Sequence, residues 1–229
     1  MPPELIAQKD DLLKDRVAIE MKRYFKTDFK RIGHATRVAR YAEQIGREEQ
    51  GNLAVILIAA YLHDIGIQEA ERKHQSTAAR FQEEEGPPIA KEILTRLGAK
   101  EDIISDVIDI IGHHHHPGPS ENIDFKSVYD ADLLVNLEEK QKEAPMDSTK
   151  LAGIVEKSFL TKRGKALAEK KLLGVFMGWD LNIYVKFLKC ARIVAGCIVM
   201  LDTGHWALDK KEAFYFIKYP ASSIQRRFE

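Results

Sequence analysis

The stretch Leu53–Gly66, LAVILIAAYLHDIG, constrains the fold more than any other part of the chain. Ten mostly apolar residues lead into His63 and Asp64. That run is too short to cross a bilayer, which takes about 20 residues. It is apolar on every side of its helical projection, as a helix at the centre of a globular core has to be. The segment therefore predicts a buried helix that delivers an imidazole and a carboxylate at its end. A buried carboxylate is costly without a partner, and a metal ion is the most effective one. Alone, the pair reads equally well as a buried His beside an Asp cap, so its meaning rests on what converges on it.

The remaining chain reads as helices with short connections. Leu5–Phe25 is amphipathic, through Leu5, Leu12, Leu13, Val17, Met21 and Phe25. Lys26–Arg31 is a polar joint. In Ile32–Arg47, the spacing of His34, Val38, Tyr41, Ala42 and Ile45 turns His34 inward with the apolar stripe. A lone inward His is more often a satisfied core residue than a ligand. Gly51 ends that helix. Gly66–Arg72 reads as a loop, and His74 as the start of a helix running to Glu85, broken by Gly86-Pro87-Pro88. Ile89–Leu97 is a further helix, closed by Gly98. Asp102–Gly112 carries Ile103, Ile104, Val107, Ile108, Ile110 and Ile111, then runs into His113-His114-His115-His116-Pro117. His115 and His116 read as loop residues. Phe125–Lys140 has Asp130 and Asp132 within it, and Asp132 falls among inward positions. Leu151–Leu173 is helical and basic, a pattern that usually marks a solvated face. Asp180–Leu201 is a long helix, and aromatics follow it at Trp206, Phe214, Tyr215, Phe216 and Tyr219. No strand-like alternation stands out. The fold class is all-α.

The metal-type residues at inward or helix-end positions are His34, His63, Asp64, His74, His113, His114 and Asp132. Their recurrence across one helical bundle is harder to dismiss than any one of them. Imidazole with carboxylate suits Fe, Mn, Co, Ni or Zn, and admits Mg when water completes the shell.

The order of these residues resembles the H…HD…D pattern of the HD-domain metal-dependent phosphohydrolase superfamily. The flanks that carry the likeness are His34-Ala-Thr-Arg37-Val38, Ala60-Tyr-Leu-His63-Asp64-Ile-Gly66 and Tyr129-Asp-Ala-Asp132-Leu-Leu, within roughly Arg31–Leu137. The resemblance implies a helical bundle around a metal held by His34, His63, Asp64 and Asp132, and hydrolysis of phosphoesters or phosphoanhydrides, often of nucleotides. In some branches a bridging Asp and further histidines bind a second metal. His74 and the His113-His114 pair resemble those additional ligands, giving one or two divalent ions per chain. The nearest patterns are the diadenosine-tetraphosphate hydrolases and cyclic-di-GMP phosphodiesterases. Ile67 stands where the latter place Lys, and their Gly-Tyr-Pro element is replaced by His116-Pro117-Gly118-Pro119. The implied organisation is an N-terminal helix at 1–28, an HD-type domain at 29–175, and a helical extension at 176–229 packed on that domain.

The chemistry expected of such a site is attack by a metal-activated water, with Asp64 bridging two ions when two are bound. Arg37, one turn from His34, and Lys73, beside His74, are the candidate catalytic cations for the phosphate. Lys162, Arg163 and Lys165 read first as a solvated face. Two other function classes stay open: a metal-binding regulatory or scaffold domain without hydrolysis, and a nucleic-acid-binding protein using Lys157–Lys171. The 35 basic and 35 acidic residues cancel, which argues against wholesale adhesion to nucleic acid or membrane. Lys186, Lys189 and Arg192 interrupt the most apolar late stretch, so it is not a span. Cys190 and Cys197 lie about 10 Å apart along one helix, too far for a disulfide. They read as buried thiols of a reducing compartment, and the start lacks a signal-peptide pattern. The expected setting is cytoplasmic, the expected partner a small phosphorylated molecule such as a nucleotide, with room for a homo-oligomer.

Overall fold

The computed structural model describes residues 3–174, 199–200 and 206–207. The chain divides into two units, Met1–Met177 and Gly178–Glu229. The described helices of the first unit are α1 (Pro3–Phe25), α2 (Phe29–Glu48), α3 (Leu53–Leu62), α4 (Ile67–His74), α5 (Ala79–Leu97), α6 (Glu101–His113), α7 (Ile123–Glu143), α8 (Ser148–Ser158) and α9 (Lys162–Leu172).

Helix α3 forms the centre because it has no polar side to show to water. It packs against α1, α2, α6 and α7, and Val55, Ile56, Ile58, Ala59, Ala60 and Leu62 are fully buried. Around it, α2 contributes Val38, Ala42 and Ile45, α6 Val107 and Ile111, and α7 Val128, Ala131 and Leu134. The apolar stripe of α1 closes one side with Val17, Met21 and Phe25. Helix starts follow capping chemistry. The side chains of Asp28, Asn52, Asn122, Asp147 and Thr161 accept backbone N–H groups of the first turns they precede, bonds otherwise left unmade at a helix start.

Four expectations are corrected. Residues 67–74 form α4, so His74 ends a helix and does not begin one. Ala70 is buried inside, while Glu69 pairs with Arg72 and Lys73 on the outside, a helix-supporting spacing. Next, α5 runs through Gly86-Pro87-Pro88 without a break. The two prolines remove N–H groups, but Glu85, Gly86, Ala90, Ile93 and Leu94 bury the helix on both sides of them. At Gly86 a side chain would meet Ile111 Cγ2 at 2.7 Å, and at Gly66 it would collide with the Gln82 carbonyl. Packing this close holds the α5 axis against the turn that follows α3.

The expected helix Leu151–Leu173 is two helices, α8 and α9, parted at Phe159–Thr161. Both oxygens of the Asp130 carboxylate reach that break. They accept from Leu160 N at 2.8 Å, Thr161 N at 2.8 Å and Thr161 Oγ1 at 2.7 Å, so the interruption is hydrogen-bonded from across the bundle. Last, β1 (Val199–Met200) and β2 (Trp206–Ala207) pair antiparallel in the second unit, Val199 opposite Ala207. Within the expected helix Asp180–Leu201, Val199–Met200 is therefore extended, in line with the β preference of Val199. The rest of that helix, Cys190, Cys197 and the packing of the extension lie outside the described residues.

Candidate metal centre

His34 reaches the centre from the inward stripe of α2, where its neighbours Ala35 and Val38 are buried. His63 and His114 reach it by one shared local device. Each is the residue just past a helix end, of α3 and α6 respectively. Each ring bonds through Nδ1 to the carbonyl three residues back, His63 to Ala60 O at 2.9 Å and His114 to Ile111 O at 3.0 Å. A carbonyl only accepts, so Nδ1 carries the hydrogen and donates, which leaves Nε2 directed at the centre. The bond also satisfies a carbonyl that a helix end would leave unpaired. Asp64 follows His63 in the same turn, and Asp132 comes from α7.

These side chains place their donor atoms on one small volume. His34 Nε2 is 3.0 Å from Asp132 Oδ1, 3.3 Å from His63 Nε2 and 3.8 Å from Asp64 Oδ2. His63 Nε2 is 3.4 Å from Asp64 Oδ2 and 3.5 Å from Asp132 Oδ1. Ligands of an ion with bonds near 2.1 Å lie about 3.0–3.4 Å from one another, so this spacing suits one divalent ion. The outer edges of the site are fixed as well. Asn136 Nδ2 donates to both oxygens of Asp132 at 3.0 Å, and His34 Nδ1 donates to Glu139 Oε1 at 3.3 Å. Such carboxylate–imidazole contacts orient a ligating ring.

The second oxygen of Asp64 points elsewhere: Oδ1 is 3.8 Å from His114 Nε2. His114 Nε2 and the neighbouring His115 Nδ1 are buried without a hydrogen-bond partner. Glu83 Oε1 is 3.6 Å from His115 Nδ1, and Glu83, His114 and His115 form a second group whose ligand atoms converge. Buried polar atoms left unpaired are uncommon, and an ion is one way to satisfy them. The centre thus offers nitrogen and oxygen donors in two adjoining sets, which meet where Asp64 faces His114, a mixture that fits Fe, Mn, Co, Ni or Zn.

The electrostatics agree. Burial alone would lower the proton affinity of His63, yet Asp64 and Asp132 outweigh it and hold its pKa well above the ordinary value. Burial would likewise raise the two carboxyls, but the facing imidazoles hold Asp64 and Asp132 below the usual carboxylate range. The field between them therefore favours positive charge. Burial, with His114 beside it, pushes His115 down to about 4, which keeps its ring neutral with a free lone pair at neutral pH.

The structure brings His34, His63, Asp64, His114 and Asp132 together. It does not bring in His74 or His113. His74 stacks on Phe81 at 4.1 Å and meets Glu85 at 3.1 Å. His113 bonds to Asp109 O, four residues back, stacks on Phe125 at 4.6 Å and faces Glu121. Of the expected trio His74, His113 and His114, it is His114 that faces Asp64, and in the HHHH run the buried ring nitrogens without a partner are those of His114 and His115. Lys73 pairs with Glu85 at 2.6 Å and with Glu69, and nothing ties it to the centre. Arg37 hydrogen-bonds Glu139, beside His34. Arg163 pairs with Glu48 and Lys165 with Glu156, away from the centre. Sequence reasoning missed Glu83, His115, Asn136 and Glu139. Asn136 and Glu139 could have been found, since they follow Asp132 by one and two helical turns.

Residues 31–157 match the HD domain family. The chain is similar to the crystal structure of a predicted HD superfamily hydrolase from an uncultured Thermotogales bacterium, at 23% identity over 79% of this chain and 91% of that one, with a TM-score of 0.49. It is also similar to Bacillus subtilis YpgQ, at 19% identity over 82% of this chain and 98% of that one, with a TM-score of 0.53, a likeness of fold. No curated protein matches the chain.

Proposed function

The chain belongs to the HD domain family, and from that premise we propose that it is a metal-dependent phosphohydrolase. In this reading it cleaves a phosphate ester or anhydride, with a nucleotide as substrate class, by a metal-activated water. The observation that carries the reading is the convergence of His34, His63, Asp64 and Asp132 on one volume, with ring edges fixed by Ala60 and Glu139.

His34, His63, Asp64 and Asp132 would hold a first ion. Glu83, His114 and His115, with Asp64 beside them, would hold a second ion. A divalent ion bound there supplies a water of lowered pKa and a counter-charge for phosphoryl oxygens. The chain's own part is to fix that centre and to seat the phosphate. Asn136 and Glu139 hold the ligands in place. Arg37, whose side chain is about one-third exposed, offers a planar fork to the phosphate, the geometry that guanidinium recognition of phosphate uses. Among the described residues the groups that converge on the centre are histidines and carboxylates, and direct attack by water is preferred to a covalent intermediate. A cytoplasmic setting and a small phosphorylated substrate belong to the same reading.

The test is hydrolysis of a nucleotide panel in oxygen-18 water by protein loaded with Mn²⁺, Co²⁺ or Zn²⁺. One labelled oxygen per single turnover, lost on chelation, is the expected result. Arg37→Ala should lower turnover while the ion stays bound. Activity that survives exhaustive metal stripping rejects the mechanism. Metal binding with no turnover of any phosphate ester would leave a metal-binding regulatory domain instead.

A further inference from the structure

Glu139 lies on α7 two turns after Asp132, so the two carboxylates project from the same side of that helix. Between them α7 holds both nitrogens of one ring: His34 Nε2 is 3.0 Å from Asp132 Oδ1, and His34 Nδ1 is 3.3 Å from Glu139 Oε1. The same oxygen of Glu139 accepts from Arg37, one turn beyond His34 on α2. Glu139 is largely buried, and the His34 it holds is more so. One carboxylate oxygen therefore serves two groups with different tasks in the proposed reaction, a metal ligand and the cation for the phosphate.

We infer that Glu139 is a positioning residue that fixes His34 for the metal and holds Arg37 in reserve, releasing it to the phosphate in exchange. The inference rests on the phosphohydrolase reading. Toward His34, the carboxylate keeps the hydrogen on Nδ1 and the lone pair on Nε2, and it raises the ring's strength as a donor. Toward Arg37, it is an anion that an incoming phosphate has to displace. Ion pairing of this kind lowers phosphate affinity while fixing where the guanidinium waits, so a substrate gains the fork only by making better bonds than Glu139 does. The two tasks predict opposite effects of removing the carboxylate: weaker metal binding and tighter phosphate binding. A residue that merely supports the fold would weaken both.

The test uses Co²⁺, followed by its visible absorption, and inorganic phosphate, followed by calorimetry at saturating Co²⁺. Glu139→Leu should weaken Co²⁺ at least tenfold, the range for losing a carboxylate behind a ligating imidazole. Glu139→Gln keeps an acceptor for His34 Nδ1 and should fall between Glu139→Leu and the parent. Both variants should bind phosphate more tightly than the parent, and adding Arg37→Ala to either should abolish the gain. Parent-like Co²⁺ affinity in Glu139→Leu, or phosphate binding that does not tighten, overturns the inference. Failure of the metal reading itself shows separately, as Co²⁺ binding that survives Asp64→Ala. Phosphate titration of metal-free protein then decides alone, with tightening upholding the exchange at Arg37 and no tightening overturning it.

Discussion

Asp130 and Asp132 stand two residues apart on α7 and have opposite fates. A step of two residues turns about 200° around a helix, so the carboxylates leave on opposite sides. Asp132 meets His34 and His63, whose rings hold its carboxyl below the usual range against the effect of burial. Asp130 meets the break between α8 and α9, where Leu160 and Thr161 donate to it. Burial still wins there and pushes its carboxyl up to about 6. The difference teaches what separates a working acid from a structural one. The imidazoles around Asp132 carry lone pairs and can exchange a proton for a cation. The backbone N–H groups around Asp130 can only donate, so Asp130 ties a loop and nothing more.

The largest expected effect separates the two by activity. Asp132→Ala should abolish tight metal uptake and lower hydrolysis more than about a hundredfold, beyond the range for groups that merely orient a ligand. Metal analysis and initial rates check it, and folded Asp132→Ala with full metal content would erase the contrast. Asp130→Ala should do the reverse. It leaves Leu160 N, Thr161 N and a hydroxyl without their acceptor and should cost about 3 kcal/mol in urea denaturation, with metal per folded chain unchanged.

The acids should also pull the pH profile of stability in opposite senses. Asp130 rises from 3.8 to about 6 on folding, so the folded chain keeps a proton that the unfolded chain has released. Its contribution is therefore greatest below about pH 4 and declines as pH rises through about 6, by about 3 kcal/mol in all. Asp132 is lowered, so its contribution is present at neutral pH and lost only as pH falls below the ordinary carboxylate range. The difference in urea stability between metal-free parent and metal-free Asp130→Asn should show the decline between pH 4 and 7.5, because the groups the two share, His63 and His115 among them, cancel in it. A difference that stays flat across that window would refute the raised carboxyl.

Smaller changes sharpen the structural half. At Gly164 a side chain would collide with Asp130 Oδ2, so Gly164→Ala should cost about 2 kcal/mol through overpacking. Thr161 Oγ1 accepts Gly164 N at 2.9 Å while donating to Asp130, and Thr161→Val should cost about 1 kcal/mol by loss of the cap. Neither should change metal affinity, and a loss of Co²⁺ binding in either would show that the two sides of α7 are coupled.

The sequence by itself determined the centre of the fold, because a segment with no polar side has only one stable place, and within Leu53–Leu62 the residues Val55, Ile56, Leu57, Ile58, Ala59, Ala60 and Leu62 are buried. It also placed His34, since a 3.6-residue period aligns it with Val38, Tyr41 and Ile45, and it placed His63 and Asp64 at the end of the core helix. Periodicity stops being informative at helix ends. In the HHHH run the side chain's direction depends on whether a ring bonds three residues back, as His114 does, or four, as His113 does. Only the folded chain makes that choice, since burial against Asp64 on one side and stacking on Phe125 on the other decide it. The partners of Glu83 and Glu139 cannot be picked out from the sequence because they lie 32 and 105 residues away. A local window cannot register such pairings. The continuity of α5 through Pro87 and Pro88, and the break at Thr161, were likewise decided by tertiary structure. In the first, burial on both sides outweighs two missing N–H groups. In the second, a carboxylate from another helix supplies what an unbroken helix would have supplied itself.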